Sequence, residues 1–145
     1  VEQIDRLIVA SLAADGRMSF TDLGKATGLS TSAVHQRVRR LEQRGIIKGY
    51  RAVVDPGAVG LPLTAFVSIK AADPAAEEDA PGLLSGIPAI ESCYSVAGEE
   101  AYILKVRVAS PHDLEALLGE IRSVAGVSTR TTVVLSTPFE DRVVD

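Results

Sequence analysis

The chain has 145 residues, 46% hydrophobic and 23% charged, with a formal net charge of −4, which fits one domain or two small ones of ordinary globular composition. Charges interrupt every apolar stretch short of the ~18 residues a membrane span needs, and no secretory leader is visible, so neither membrane insertion nor export is expected. Cys93, the only cysteine, cannot form an internal disulfide, which fits a reducing cytoplasm. The first residue is Val1 and the only methionine is Met18, which leaves open an upstream start or a non-standard start codon.

The average charge conceals an asymmetry. Residues 1–54 carry nine Lys/Arg against five Asp/Glu, whereas residues 55–145 carry six against fourteen. Two domains with different partners are therefore expected, the basic one facing a polyanion.

In chain order, Ile4, Leu7, Ile8 and Leu12 recur at helical spacing and predict an apolar stripe, with Asp15-Gly16 ending the helix through a glycine at positive φ. Ser19, with Asp22 three residues on, caps a second helix over about Phe20–Thr27 that buries Leu23 and Ala26. Gly28 stops it. Ser30 then caps a third helix from Thr31 to about Arg44, with Val34, Val38 and Leu41 facing inward and Gly45 closing it. Two short helices joined through Gly28-Leu29-Ser30, with small residues at Gly24 and Ala26 for a close crossing, form the pattern of a helix-turn-helix, whose second helix enters the DNA major groove.

The outward residues of that helix suit the task. Ser30, Thr31, Ser32, His35, Gln36 and Arg39 are placed to read base edges, and Arg37, Arg40 and Arg44 to neutralise phosphates, with Lys48 and Arg51 beyond. From Thr31 to Arg51 six cations face one acid, Glu42, where an ordinary solvated helix mixes the signs. One histidine without a nearby cysteine or acidic cluster makes no metal site.

The runs Ile4-Asp5-Arg6, Asp15-Gly16-Arg17, Leu29-Ser30, Val38-Arg39-Arg40-Leu41-Glu42 and Gly45-Ile46-Ile47-Lys48-Gly49-Tyr50 resemble the leucine-responsive/asparagine-regulator (Lrp/AsnC, feast/famine) family of transcriptional regulators, over nearly the whole chain. The resemblance implies a winged N-terminal DNA-binding domain. It also implies a C-terminal effector and assembly domain, and dimers that build higher oligomers, often octamers.

Arg51–Asp55 reads as a short strand stopped by Pro56, which the resemblance pairs with the same strand of a second subunit, and Gly57, Gly60 and Pro62 punctuate a linker. Beyond Pro62 the period becomes two. A strand through Ala65, Val67 and Ile69 leads to an acidic helix from Pro74 to about Leu84, then strands over Ile90–Ala97 and Tyr102–Val108. Ser110 and Pro111 start a helix that buries Leu114, Leu117, Leu118 and Ile121, and a last strand runs over Thr129–Leu135. The fold class expected is thus α+β: a helix-turn-helix over 1–50, a strand and linker over 51–62, and a βαββαβ ferredoxin-like domain over 63–145. Apolar residues occur on both alternating sets of the strands, so the open face of the sheet is expected to pack against another subunit.

No catalytic constellation emerges. His35 and His112 lie in different domains, and Cys93 reads as a small core or interface residue. No cofactor is expected and no enzymatic activity. Val96–Lys105 resembles the Gly-Asp-x-Asp-Tyr-x-Leu-Lys segment with which the family binds amino-acid effectors between subunits, which places a small-molecule site at Gly98, Glu99, Glu100, Ala101 and Tyr102. Backbone N–H groups of the turn would receive a carboxylate, acidic side chains an ammonium, and Thr129, Thr131 and Thr132 would complete a polar ring. The sequence departs from the pattern at Glu99, and at Ala101, which cannot bind an ammonium. The reading is a cytoplasmic, amino-acid-responsive regulator of double-stranded DNA. An effector-independent architectural DNA protein, or a ferredoxin-like metabolite-binding enzyme, stays open as an alternative.

Overall fold

The computed structural model describes residues 1–144. The chain divides into two compact units, one of residues 1–53 together with the C-terminal residues from Phe139, the other Val54–Pro138.

The first unit holds three helices, α1 (Gln3–Ala14), α2 (Phe20–Thr27) and α3 (Thr31–Gln43). Its core gathers Ile8 and Leu12 from α1, Leu23 from α2, and Val34, Val38 and Leu41 from α3. Two details of the expected packing differ. Leu7 is exposed, and the buried face of α1 is Asp5, Ile8 and Leu12. Ala26 is likewise exposed, and Gly24 takes the buried position beside Leu23. The α1 helix ends at Asp15 in extended conformation, and Gly16 is not among the glycines at positive φ, so its end needs no left-handed residue. Among the described residues no strand precedes Leu63: Arg51–Val54 is unpaired, with Val53 93% exposed, and no wing hairpin forms within the chain itself. A lone extended segment has no partner for its backbone groups other than water.

In the second unit β1 (Leu63–Ala71), β2 (Ile90–Ser95), β3 (Tyr102–Val108) and β4 (Val127–Val133) form one sheet in the order β2-β3-β1-β4, every neighbouring pair antiparallel. Connected through α4 (Ala80–Leu84) and α5 (Pro111–Ala125), this is the βαββαβ ferredoxin-like layout. Ala65, Val67 and Ile69 of β1 and Leu104, Val106 and Val108 of β3 bury one face against Leu84, Leu114, Leu117 and Ile121. Ser110 caps α5 by accepting the Asp113 N–H at 3.1 Å, and Gly126 closes it at φ 62°.

The acidic stretch after β1 is a 3₁₀ helix over Pro74–Asp79 that gives way to α4. Pro81 has no N–H and crowds the carbonyl four residues back, so an α-helix can begin only just before it. β2 stops at Ser95. β4 starts two residues earlier than its apolar pattern indicates, because its register with β1 begins at Ala71↔Val127; it pairs as far as Ala65↔Val133, the Val134 N–H makes one further bond to Thr64 O at 2.9 Å, and Leu135 is 98% exposed. Cys93 is not in the core of the chain: it is exposed on the edge strand β2, where it is free for an interface, and its partial burial pushes the thiol pKa up, away from the nucleophilic form.

The face of the sheet away from the helices mixes apolar and charged side chains. Lys105, opposite Phe66, is only 8% exposed, and its Nζ lies 3.3 Å from Glu91 Oε2. Arg107 donates from Nε to Glu91 at 3.0 Å and from Nη1 to Thr64 at 2.8 Å. The register of β2 shifts between Ile90 and Ser92, at Glu91. Burial alone would raise the Glu91 carboxyl pKa, but hydrogen bonds from Arg107 and Lys105 outweigh it and hold it below its ordinary 4.5. A depressed carboxylate stabilises the fold above its unfolded pKa, and that contribution is lost as pH falls through the folded value. Glu91→Gln is therefore expected to be less stable than the parent at neutral pH, with the difference shrinking as pH is lowered from 4.5. Urea denaturation across a pH series measures this, and a gap that stays constant into acid would refute it.

Candidate functional site

The helix-turn-helix is built from local capping. Ser19 Oγ accepts the Asp22 N–H at 3.0 Å and Ser30 Oγ accepts the Ala33 N–H at 3.2 Å, so each helix starts on a satisfied donor. Between them Gly28 adopts φ 77°, a conformation that costs little only for glycine. Thr27 reinforces the bend by donating to Leu23 O at 2.7 Å while accepting the Leu29 N–H at 3.4 Å. A Cβ on Gly24 would sit 2.7 Å from Leu29 O, so the chain returns across α2 at a distance only glycine permits.

With Val34, Val38 and Leu41 buried, α3 turns Thr31, Ser32, His35, Gln36, Arg39 and Arg40 outward, flanked by the exposed caps Ser30 and Arg44. The Ser30 and Ser32 hydroxyls lie 3.3 Å apart. The His35 ring packs edge-on against Phe20, with centroids 5.3 Å apart, which fixes its position on the exposed face. Arg37, expected among the phosphate-neutralising residues, is drawn toward carboxylates near the start of the chain. Its Nη1 donates to Glu2 Oε2 at 3.1 Å and to Asp5 Oδ1 at 3.2 Å, and these two carboxylates, Glu2 first, raise its pKa further. Asp5 was missed because it lies off the stripe of Ile4, Leu7, Ile8 and Leu12. Its signal was its spacing, three residues before Ile8.

The second candidate region is the turn between β2 and β3. Gly98 has no positive φ, and a Cβ there would meet nothing within 4 Å. The Ala101 N–H is committed to Ile69 O at 3.2 Å, and its carbonyl accepts the Val96 N–H at 3.0 Å. Glu99 and Glu100 are both paired with Arg130, at 3.6 and 3.4 Å. A cavity of about 570 Å³ lies beside this cluster, lined by both glutamates, Lys70, Arg130, Ser68 and Ser128 among others. Another, of about 360 Å³, lies along residues 95–102, including Tyr102, and reaches Glu77 and Glu78.

The three threonines do not share one face of the sheet, although Thr129 lines the cavity at Glu99 and Glu100. Thr129 and Thr131 pair with Ile69 and Val67, on the helix-covered side, whereas Thr132 pairs with Phe66 on the opposite side. Thr129 accepts from Arg122 of α5 at 3.1 Å. Alternation along the strand separates what chain proximity joins. Lys70 and Arg130 escaped sequence reasoning because only the cross-strand register, Ser68↔Arg130 and Lys70↔Ser128, brings them together.

Residues 2–42 match the model of the AsnC-type helix-turn-helix domain, and residues 64–144 that of the Lrp/AsnC ligand binding domain. The chain belongs to the Lrp/AsnC family. It is 54% identical over 142 residues to the HTH-type transcriptional regulator LrpA of Mycobacterium tuberculosis, covering 98% of this chain and 95% of the relative. It is 37% identical over 139 residues to the leucine-responsive regulatory protein of Salmonella typhimurium, covering 93% and 85%. A feast or famine regulatory protein from M. tuberculosis, solved in complex with L-methionine, superposes with a TM-score of 0.95 at 54% identity, covering 97% of this chain and 96% of that one. E. coli AsnC superposes at 0.89 with 27% identity, over 99% and 97%.

As an Lrp/AsnC member, the chain is a transcriptional regulator of the helix-turn-helix type, and the tightness of its α2–α3 corner is open to measurement. Gly24→Ala forces a methyl onto a backbone carbonyl and is expected to cost about 1–3 kcal/mol. Gly28→Ala meets no atoms and costs only its left-handed conformation, about 1 kcal/mol. Urea denaturation followed by circular dichroism ranks the two, and the reverse order would contradict the close approach.

Proposed function

We propose that this Lrp/AsnC regulator reads DNA sequence through α3, that its DNA binding or assembly responds to an amino acid held at the Gly98 turn, and that it acts by binding and not by catalysis. The observation that carries the DNA reading is the outward face of α3. Ser30, Thr31, Ser32, His35, Gln36 and Arg39 stand toward base edges there, and Arg40 and Arg44 toward phosphates. Gln and Arg match adenine and guanine edges in bidentate fashion. A single helix of this length spans one half-site, so a dimer reading two half-sites is the natural unit. The unpaired segment at Val53 and Val54, exposed Tyr94, and the half-apolar face of the sheet supply surface for a homodimer and for higher assembly, up to an octamer.

The cavity at Glu99 and Glu100 has the charge pattern of a zwitterion's complement. Lys70 and Arg130, with the Ser68 and Ser128 hydroxyls, offer donors to a carboxylate, and the two glutamates offer acceptors to an ammonium. This supports an amino-acid effector in spite of Ala101. The methionine complex of the similar M. tuberculosis protein makes L-methionine the first ligand to titrate. A ligand moves the equilibrium between two arrangements only by binding one of them better.

Two experiments test the reading. Arg39→Ala is expected to relax sequence preference by about 1–3 kcal/mol at one base position, whereas Arg44→Ala weakens binding to all sequences and lowers the salt slope by about one. Binding of selected and scrambled duplexes over a salt series separates them, and equal losses from Arg39→Ala on both duplexes would contradict base reading. For the effector, Gly98 lines the smaller cavity, which shares Glu99 and Glu100 with the larger one; Gly98→Leu adds bulk where the backbone meets no atoms, so the fold should survive. Calorimetric titration with L-methionine and the other amino acids is expected to lose its heat in this variant while ligand-free DNA binding persists; an undiminished titration removes the turn as the site.

A further inference from the structure

The ion pair between α1 and α3 joins the DNA-reading helix to a residue that no DNA contact requires. Asp5 is 6% exposed, on the same face of α1 as Ile8 and Leu12, and its carboxylate meets Arg37 Nη1 at 3.2 Å. Arg37 sits between Val34 and Val38 on the inner side of α3, 27% exposed, and the same nitrogen reaches Glu2 at 3.1 Å. The apolar contacts of Ile8, Leu12, Val34, Val38 and Leu41 press α3 onto the rest of the unit, but such contacts are non-directional. A charged hydrogen bond at this distance constrains direction as well. Gln36 precedes Arg37 and Arg39 follows it by two residues, both exposed, so whatever fixes the Arg37 side chain constrains the rotation of α3 that aims those two.

We infer that Arg37 is a positioning residue for DNA recognition, held by buried Asp5 with help from Glu2, and that it sets which base edges Gln36 and Arg39 reach without itself touching phosphate. The inference rests on the reading of α3 as the DNA-contacting helix. It separates Arg37 from Arg40 and Arg44, which carry the same charge on the same helix, and it makes a carboxylate in α1 favour DNA binding.

That last consequence has the opposite sign from simple electrostatics. Removing an acidic charge near DNA strengthens binding when only the field matters. Asp5→Asn here releases the guanidinium that holds the helix. Arg37→Lys keeps the charge and loses the planar fork.

The experiment uses the full chain as parent, Asp5→Asn and Arg37→Lys, with a duplex selected by the parent from a random-sequence pool and a scrambled duplex of equal length. Affinity for both is measured over a salt series, with thermal melting to report folding. Both variants are expected to lose about tenfold in the ratio of selected to scrambled binding, the value of one base contact. The salt slopes on both duplexes should stay at the parental value, since no phosphate contact is removed. A tighter Asp5→Asn with a steeper slope overturns the proposal, because the freed Arg37 would then be reaching a phosphate; so does an unchanged ratio in a folded variant. If Asp5→Asn shows no thermal transition, Arg37→Lys alone decides. A parent that selects no sequence and binds both duplexes equally refutes the underlying reading of α3, an outcome distinct from failure of the positioning role.

Discussion

The meeting of Gly24 with the carbonyl of Leu29, where a Cβ would stand 2.7 Å from oxygen, constrains everything in the N-terminal unit. Because α2 and the chain entering α3 come this close, Leu23 reaches the same core as Val34, Val38 and Leu41, and the opposite side of α3 is left to solvent. The left-handed Gly28 and the two serine caps make the bend inexpensive, but they do not determine its tightness. The outward row from Thr31 to Arg40 is therefore a consequence of an inward contact several residues upstream.

The ferredoxin-like unit solves a different problem. Its two helices cover one face of the sheet, and the other carries Phe66, Lys105 and Arg107 together. Burying Lys105 is tolerable because Glu91 sits 3.3 Å away where the β2 register shifts. A surface that shields a lysine in this way is neither a solvated sheet nor a dry core. It suits a partner that presents both apolar and polar groups.

The helices and their caps were legible in the sequence because helix signals are local: Ser19, Gly28, Ser30, Ser110 and Gly126 each act within a few residues of themselves. The presence of four strands in the chain order βαββαβ also followed from alternation. What escaped was information carried by partners distant in sequence. Asp5 lies off the apolar stripe, and its burial makes sense only once Arg37, 32 positions away, is seen beside it. Lys70 and Arg130 meet only through the β1–β4 register, and the same register divides Thr129 and Thr131 from Thr132. The 3₁₀ stretch at Pro74–Asp79 was a subtler case, since the acidic composition favours helix while Pro81 dictates where an α-helix can start.

Arg130 lies against both Glu99 and Glu100, so the turn carries its own counterion before anything enters the cavity. A zwitterion seated there trades one set of opposite charges for another and displaces few salt ions, whereas a helix row of arginines on a duplex displaces many. Ionic strength thus acts on the two binding events unequally. With the effector in the proposed cavity and the duplex on α3, raising ionic strength loosens the grip on the duplex while leaving occupancy of the cavity nearly untouched, so salt resets the DNA response without altering the ligand response.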